Sequence, residues 1–404
     1  MKSSSRASAG AASAPLAFPA GFRFAAGACG IKANGEDLAL MLAETPASCA
    51  GVFTTNRLQA APVRLSRQHL QHSRGRLRAI LVNSGNANCA TGKQGQTAAA
   101  ANIRALAQQL HCPPEQIQVC STGVIGVPLP YGKINAALPA LLQRDDGAEA
   151  VARAILTTDT RAKIAQTSFS DGRRHYCVAG FAKGSGMIHP RMATMLGFVF
   201  TDAAIPPVSL QRALTTAVER SFNRITVDGD TSTNDTVLLC ASGAVPGALS
   251  AAGKKNFQQA LDDVAGSLAR QIVLDGEGAR HFVTIRVDGA ASEADADRAA
   301  RAIAHSPLVK TAIAGADANW GRVLAAAGYS GARFDPERAE VWFSGLPVYR
   351  RGVALAFDEK EAKRRLSEAE VEVRVHLHAG RAATWMWTCD LTEEYIRING
   401  SYRS

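Results

Sequence analysis

The sequence predicts an α/β or α+β protein with several sheets, and three observations lead there. From about residue 21 onward, short β-branched or alternating runs interleave with amphipathic, Ala-rich stretches of helical period. Of the 404 residues, 47% are of the AVILMFWYC set and 20% are charged, a balance that buries a substantial core and excludes a disordered chain. No repeat of solenoid period is present, so the length implies two or three domains or one large layered unit.

The elements follow in chain order. Residues 1–20 are rich in Ser and Ala, and no acidic residue precedes Glu36. A transit peptide has that composition, but the stretch lacks the apolar core of a secretory signal, and we read it as a flexible tail. Ala79–Asn83 is strand-like, and Gln96–Leu110 is Ala-rich and helical. Val208–Phe222, Lys254–Ile272 and Glu359–Glu370 carry helical spacing. His281–Val287 alternates as a strand, and so does Val371–His378, which puts both His376 and His378 on its polar face.

Composition also excludes functions. No apolar run approaches the ~18 residues that a membrane-spanning helix needs, so no membrane span is expected. Net charge is +10, which invites a nucleic-acid reading. However, residues 1–193 carry 21 Lys+Arg against 9 Asp+Glu, whereas residues 194–404 carry 24 against 26. The basic cluster Arg64, Arg67, Arg74, Arg76 and Arg78 has no interleaved aromatics, so no nucleic-acid partner is expected. The eight cysteines form no Cys-x-x-Cys pair and read as thiols of a reducing, cytoplasmic compartment. Neither they nor the nine histidines show metal-ligand spacing, and no metal is expected.

Three loops place glycine with small hydroxyl or amide residues after an apolar run: Asn83–Asn88, Ser121–Gly126 and Lys183–Met187. Such loops can aim backbone N–H groups at an anion, although each one alone reads equally as a turn. None is a Walker A, dinucleotide-binding or nucleophile-elbow motif. Separately, Arg224–Asp235 contains Asp-x-Asp-x-Thr after an apolar run. That pattern fits either an Mg²⁺-dependent phosphohydrolase with Asp228 as nucleophile and Asp230 as acid, or acidic residues capping a turn.

At Lys183-Gly-Ser-Gly-Met-Ile-His-Pro-Arg-Met-Ala-Thr-Met-Leu196 the pattern becomes specific. With Thr201-Asp202 just after it, the segment closely resembles the signature of the ornithine acetyltransferase / glutamate N-acetyltransferase family of arginine biosynthesis. The likeness continues in Phe53–Arg57, in the Asn83 and Ser121 loops, in Thr157–Thr160 and in Val227–Asp235. It recurs in Leu274–Ala279, Ser306–Lys310, Ala318–Arg322 and Cys389–Leu391 with Ile398-Asn399, so it spans residues 21–404 in order.

The resemblance implies a layered α/β (α+β) sandwich with a smaller C-terminal lobe. It implies self-cleavage between Ala193 and Thr194 into a 21–193 alpha chain and a 194–404 beta chain, assembled as a heterotetramer of two copies of each. Thr194 would be the nucleophile of a ping-pong transfer from N-acetylornithine to glutamate, with acetyl-CoA as a further acetyl donor and no cofactor. Thr122 and Gly123 would form the oxyanion hole. Thr157, Lys183, Thr194, Glu277, Asn399 and Ser404 would bind substrate.

The chemistry is coherent on its own terms. A threonine hydroxyl needs a base within reach, and cleavage supplies one as the freed α-amino group, with an unperturbed pKa of about 7.7 to 8. A cationic Lys183 suits an α-carboxylate, and Glu277 suits an ammonium. The sequence departs from the family's usual pattern at His189, Arg191, Ile313-Ala314 and Ala318, where no catalytic group is lost. The alternative on the same nucleophile is an amidase or aminopeptidase, in which water accepts the acyl group.

Overall fold

In the computed structural model, residues 18–189 and 195–401 are described. Eight strands build the first sheet: β1 (Phe22–Gly27), β2 (Leu38–Phe53), β3 (Arg76–Asn86), β4 (Ile117–Val124), β5 (Lys163–Asp171), β6 (Arg174–Lys183), β7 (Leu196–Ala203) and β8 (Thr236–Val245). Their order is β4-β3-β2-β8-β7-β6-β5, with β1 also paired to β2. β7 is buried along its whole length, as expected of a strand covered on both faces. Alternation along β2 sends Leu38, Leu40 and Leu42 into one apolar cluster and Ala39 and Met41 into another on the opposite face.

Helices cover both faces. Pro207–Arg220 and Ala251–Leu274 pack Leu214, Val218, Leu261 and Leu268 against Val199, Val237 and Leu239. Gly92–Gln109 and Tyr131–Leu141 cover the β3–β4 end with Ile103, Leu106 and Leu138. On the other face Phe24, Phe181, Phe198 and Phe200 form an aromatic cluster beside helix Ala148–Ala154.

A smaller second sheet follows: β9 (Phe282–Ala290), β10 (Glu340–Phe343), β11 (Leu346–Arg350), β12 (Val353–Ala354), β13 (Glu370–His376) and β14 (Ala382–Cys389). Its order is β12-β11-β10-β13-β9-β14. Helices Glu293–His305 and Trp320–Gly328 bury Ile303 and Val323 against Val283, Ile285 and Val373. This is the layered α/β architecture with a smaller C-terminal lobe that the sequence led us to expect.

One helix is shorter than its periodicity suggests. Rather than running to Glu370, it spans Glu359–Leu366, and Glu370 instead opens β13. The alternation that begins at Val371 competes with the helical period, and the helix ends at its C-cap Ser367. His376 pairs with Asp288 through Nδ1, while His378 Nε2 lies 3.1 Å from Glu340 Oε1. β13 ends at His376 rather than running on to His378, so only the His376 contact joins two strands, and His378 meets Glu340 from just beyond the strand end. Among the described residues, no helix is long and apolar enough to cross a membrane.

The expected cleavage point does not divide the sheets. Residues 1–193 supply β1–β6 and residues 194–404 supply β7 and β8, so the two portions of chain interleave in one sheet at the β2–β8 and β6–β7 pairings.

Candidate functional site

The glycine loops singled out in the sequence meet at one end of the first sheet. β3 and β4 run parallel with Ser84 opposite Thr122 and Gly85 opposite Gly123. Gly123 has φ +130°, and a Cβ there would overlap the Gly85 backbone, so glycine is required where the two loops touch. β6 delivers Lys183 at its last residue, directly opposite Leu196 at the start of β7. Glu277 follows the long helix Ala251–Leu274, held by its N–H bond to the Ser185 carbonyl (2.9 Å). Asn399 comes from the last helix, Glu393–Ser401.

These elements enclose a cavity of about 80 Å³ whose lining includes Thr122, Gly123, Thr157, Lys183, Glu277 and Asn399. Those are all the expected site residues that lie within the described part of the chain. Ala193, Thr194 and Ser404 lie outside the described residues. Along the chain, Thr194 is two positions before Leu196, the register partner of Lys183.

Lys183 Nζ donates to Thr157 Oγ1 (2.8 Å) and Thr122 Oγ1 (3.3 Å) and lies 3.6 Å from Asp159. Asn399 Nδ2 donates to Glu277 Oε2 (2.7 Å). The cavity thus presents a cation, hydroxyls and a carboxylate at fixed positions, which is a set able to orient an amino acid by both of its charged ends.

Beneath it lies a buried ionic network that the sequence reading missed. Lys163 Nζ donates to Asp159 Oδ1 (2.6 Å) and Asp275 Oδ2 (2.5 Å), and all three side chains are almost wholly excluded from solvent. Asp159 also accepts from the Gly184 N–H (2.5 Å). Burial opposes its charge, but the Lys183 and Lys163 ammoniums and the Gly184 bond together lower its pKa to about 2. Asp159 falls inside the Thr157–Thr160 match, so the position was flagged although its role was not. Lys163 gives no sequence signal, because a lone lysine in an alternating strand reads as solvated.

Ser232, Thr233 and Asn234 also line the cavity. Asn234 Nδ2 ties the Ala87 carbonyl (2.7 Å) to the Ser121 carbonyl (2.8 Å) and so clamps two of the glycine loops together. Asp235 is buried, and its Oδ1 accepts the Met195 N–H (2.9 Å). Burial pushes this carboxyl well above the usual carboxylate range.

The Asp-x-Asp-x-Thr segment has the turn-capping role. Asp228 accepts the N–H groups of Met187 (2.5 Å), Ile188 (2.9 Å) and Asp230 (3.1 Å) and the Tyr395 hydroxyl (3.3 Å). Burial raises its pKa to about 6, and both of its oxygens are committed to bracing the 183–188 loop. That leaves Asp228 poorly placed to attack a phosphorus.

Gly186 offers a direct check of Glu277. A Cβ at Gly186 would overlap the Glu277 carboxylate, the movable end of a flexible side chain. Gly186→Ala is therefore expected to fold normally but displace that carboxylate. The specificity constant kcat/KM for an ammonium-bearing substrate should fall about ten- to a hundredfold, the worth of one charge-assisted bond. Steady-state kinetics beside a thermal melt check this, and a variant with unchanged kcat/KM would remove Glu277 from the site.

The ArgJ family model matches residues 23–404. The arginine biosynthesis bifunctional protein ArgJ of Symbiobacterium thermophilum is 51% identical over 399 residues, covering 96% of this chain and 98% of that protein. Its counterpart in Thermus thermophilus is 49% identical over 388 residues, covering 95% and 98%. The crystal structure of the arginine biosynthesis bifunctional protein from Bacillus halodurans matches with a TM-score of 0.50 and 45% identity, covering 52% of this chain and all of that one.

Proposed function

The chain belongs to the ArgJ family, and from that premise we propose that it moves an acetyl group from N-acetylornithine to glutamate through an ester on Thr194. It is a glutamate N-acetyltransferase of arginine biosynthesis. The observation that carries the mechanism is the convergence of Thr122, Gly123, Thr157, Lys183, Glu277 and Asn399 on one cavity, with β7 beginning at the register partner of Lys183.

Thr194 first becomes a chain terminus by cleavage of the Ala193–Thr194 bond. Its α-amino group then takes the proton from its own hydroxyl as that oxygen attacks the acetyl carbonyl. The developing oxyanion is received by the Thr122 hydroxyl and the Gly123 N–H, and one such donor is worth about 3 to 4 kcal/mol of barrier. Lys183 holds the substrate α-carboxylate, while Glu277, oriented by Asn399, holds the ammonium of ornithine. Ornithine leaves with the proton, glutamate enters the same cavity, and its amine attacks the acetyl-Thr194 ester. Ser404, at the C-terminus, completes the substrate contacts.

Support for cleavage comes from the Bacillus halodurans chain, which is matched in full by about half of this one. The relatives' description as bifunctional supports a second donor, acetyl-CoA, loading the same threonine. The interleaved strands favour an alpha and a beta portion that remain paired after cleavage, and our reading is that two such pairs form a cytoplasmic heterotetramer acting on small amino acids.

Double-reciprocal plots of transfer from N-acetylornithine, taken at several glutamate concentrations, should give parallel lines. Incubation with N-acetylornithine alone should leave an acetyl adduct on the fragment that begins at Thr194. Intersecting lines and no adduct would point to direct transfer, and release of free acetate in place of N-acetylglutamate would favour the amidase reading.

A further inference from the structure

We propose that Cys49 and Cys240 are an oxidisable pair that closes to a disulfide under a peroxide, stitching residues 1–193 to residues 194–404 through the middle of the first sheet. The consequence for two separate chains rests on the cleavage proposed above; the pairing of the thiols does not.

The geometry begins with register. β2 and β8 are antiparallel neighbours, and Cys49 lies directly opposite Cys240. The Cys49 N–H is spent on the Gly75 carbonyl (2.7 Å), on the β3 side of β2. Toward β8, therefore, the two cysteines form a non-hydrogen-bonded pair. At such a pair the Cα atoms stand about 4.5 Å apart, inside the span that a disulfide bridges. The sulfurs are already 3.8 Å apart, so side-chain rotation closes the bond without any slip of register.

Access is one-sided. Cys49, though only 2% exposed, borders a groove of about 580 Å³ together with Phe53, Arg67, Arg74 and Pro207. Cys240 is wholly buried in the apolar cluster that includes Phe198 and Leu238, and burial holds its thiol well above the ordinary range. Of the two buried thiols only Cys49 belongs to a residue bordering that groove, which assigns it the first encounter with a small oxidant and Cys240 the resolving role.

The chemistry balances. The Cys49 sulfur attacks one peroxide oxygen, breaking the O–O bond to give a sulfenic acid and, after proton transfer, one water. The Cys240 sulfur then displaces the sulfenic oxygen as a second water. The two thiols lose two electrons to the peroxide, and the S–S bond forms.

The test uses the purified full-length protein exposed to hydrogen peroxide, quenched with iodoacetamide in denaturant and digested with trypsin. The peptides carrying Cys49 and Cys240 should appear joined, two hydrogens lighter than their sum, and separate with dithiothreitol. The fraction of Cys49 open to alkylation should fall at least tenfold. In a cleaved sample, the two fragments should co-migrate at full mass on non-reducing denaturing gels. Cys240→Ala should leave Cys49 as a sulfenic acid that dimedone traps, with the fragments separating. Joined peptides in an uncut chain would support the pair and overturn only the cleavage. Recovery of both cysteines alkylated after half-buried Cys177 has been oxidised would overturn the pair, as would linkage of Cys49 to Cys120, which lies in the same apolar cluster.

Discussion

Thr194→Ala should give a single uncut chain of 42.5 kDa with transfer from N-acetylornithine reduced by at least about 10⁴-fold, the scale on which loss of a covalent nucleophile acts. Both losses have one cause. In the proposed mechanism the hydroxyl that makes the ester in turnover is also the one that attacks the Ala193 carbonyl in cleavage, and alanine supplies neither. Thr194→Ser keeps the hydroxyl and should cleave and turn over at a reduced rate. Intact mass and an assay for N-acetylglutamate read the two effects separately. Cleavage at the same bond in Thr194→Ala, or transfer within tenfold of wild type, would sink the assignment.

The second large effect is on stability. Lys163→Met removes the ammonium that bridges Asp159 and Asp275, leaving Lys183 at 3.6 Å from Asp159 and Arg161 at 3.9 Å from Asp275 as weaker partners. Breaking one side of a buried ionic set typically costs about 3 to 5 kcal/mol, and urea unfolding at neutral pH should show a loss of that size. The pH dependence has a definite sign. In the wild type, Asp159 is depressed to about 2, so its contribution is constant above the unfolded carboxylate pKa of about 4 and is lost as pH falls toward 2. In the variant, Asp159 loses one of the two ammoniums that hold its pKa down, so the penalty should be full above about pH 4 and fade as pH falls toward 2. A loss under about 1 kcal/mol, or one that is flat with pH, would mean that water has replaced the ammonium.

Lys163 also shows how the two portions of chain are held together. It belongs to residues 1–193 and Asp275 to residues 194–404, so their ion pair crosses the proposed cut out of reach of salt screening. The two portions carry opposite formal net charges, +12 from 21 Lys+Arg against 9 Asp+Glu and −2 from 24 against 26, which favours attraction between them. The structure adds shared β-pairing at β2–β8 and β6–β7, the Asn234 bonds to Ala87 and Ser121, and this buried ion pair.

What was legible in the sequence was local. Helix Ala251–Leu274 and strand β9 were legible as Lys254–Ile272 and His281–Val287 because the apolar period runs through most of each. The helix from Glu359 was over-read because helical and alternating patterns abut near Ser367, where only the pairing of β13 with β9 decides the boundary. Within the site, Lys183, Glu277 and Asn399 came from motifs. Asp235, which holds the Met195 N–H, stood inside a quoted motif but carried no sign of its task.

The sequence by itself determined the family and the acetyl-transfer chemistry and nominated the residues of the candidate site, because those depend on side chains arranged in a recognisable order along the chain. Only the tertiary structure decided which of them share a cavity, that Asp228 braces a loop, and that Lys163 is sealed between two carboxylates. It also decided that Cys49 faces Cys240 across the two portions of chain. The physical reason is that burial, desolvation and cross-strand register are set by neighbours distant in sequence, such as residues 159 and 275 or 49 and 240. No local pattern encodes those distances.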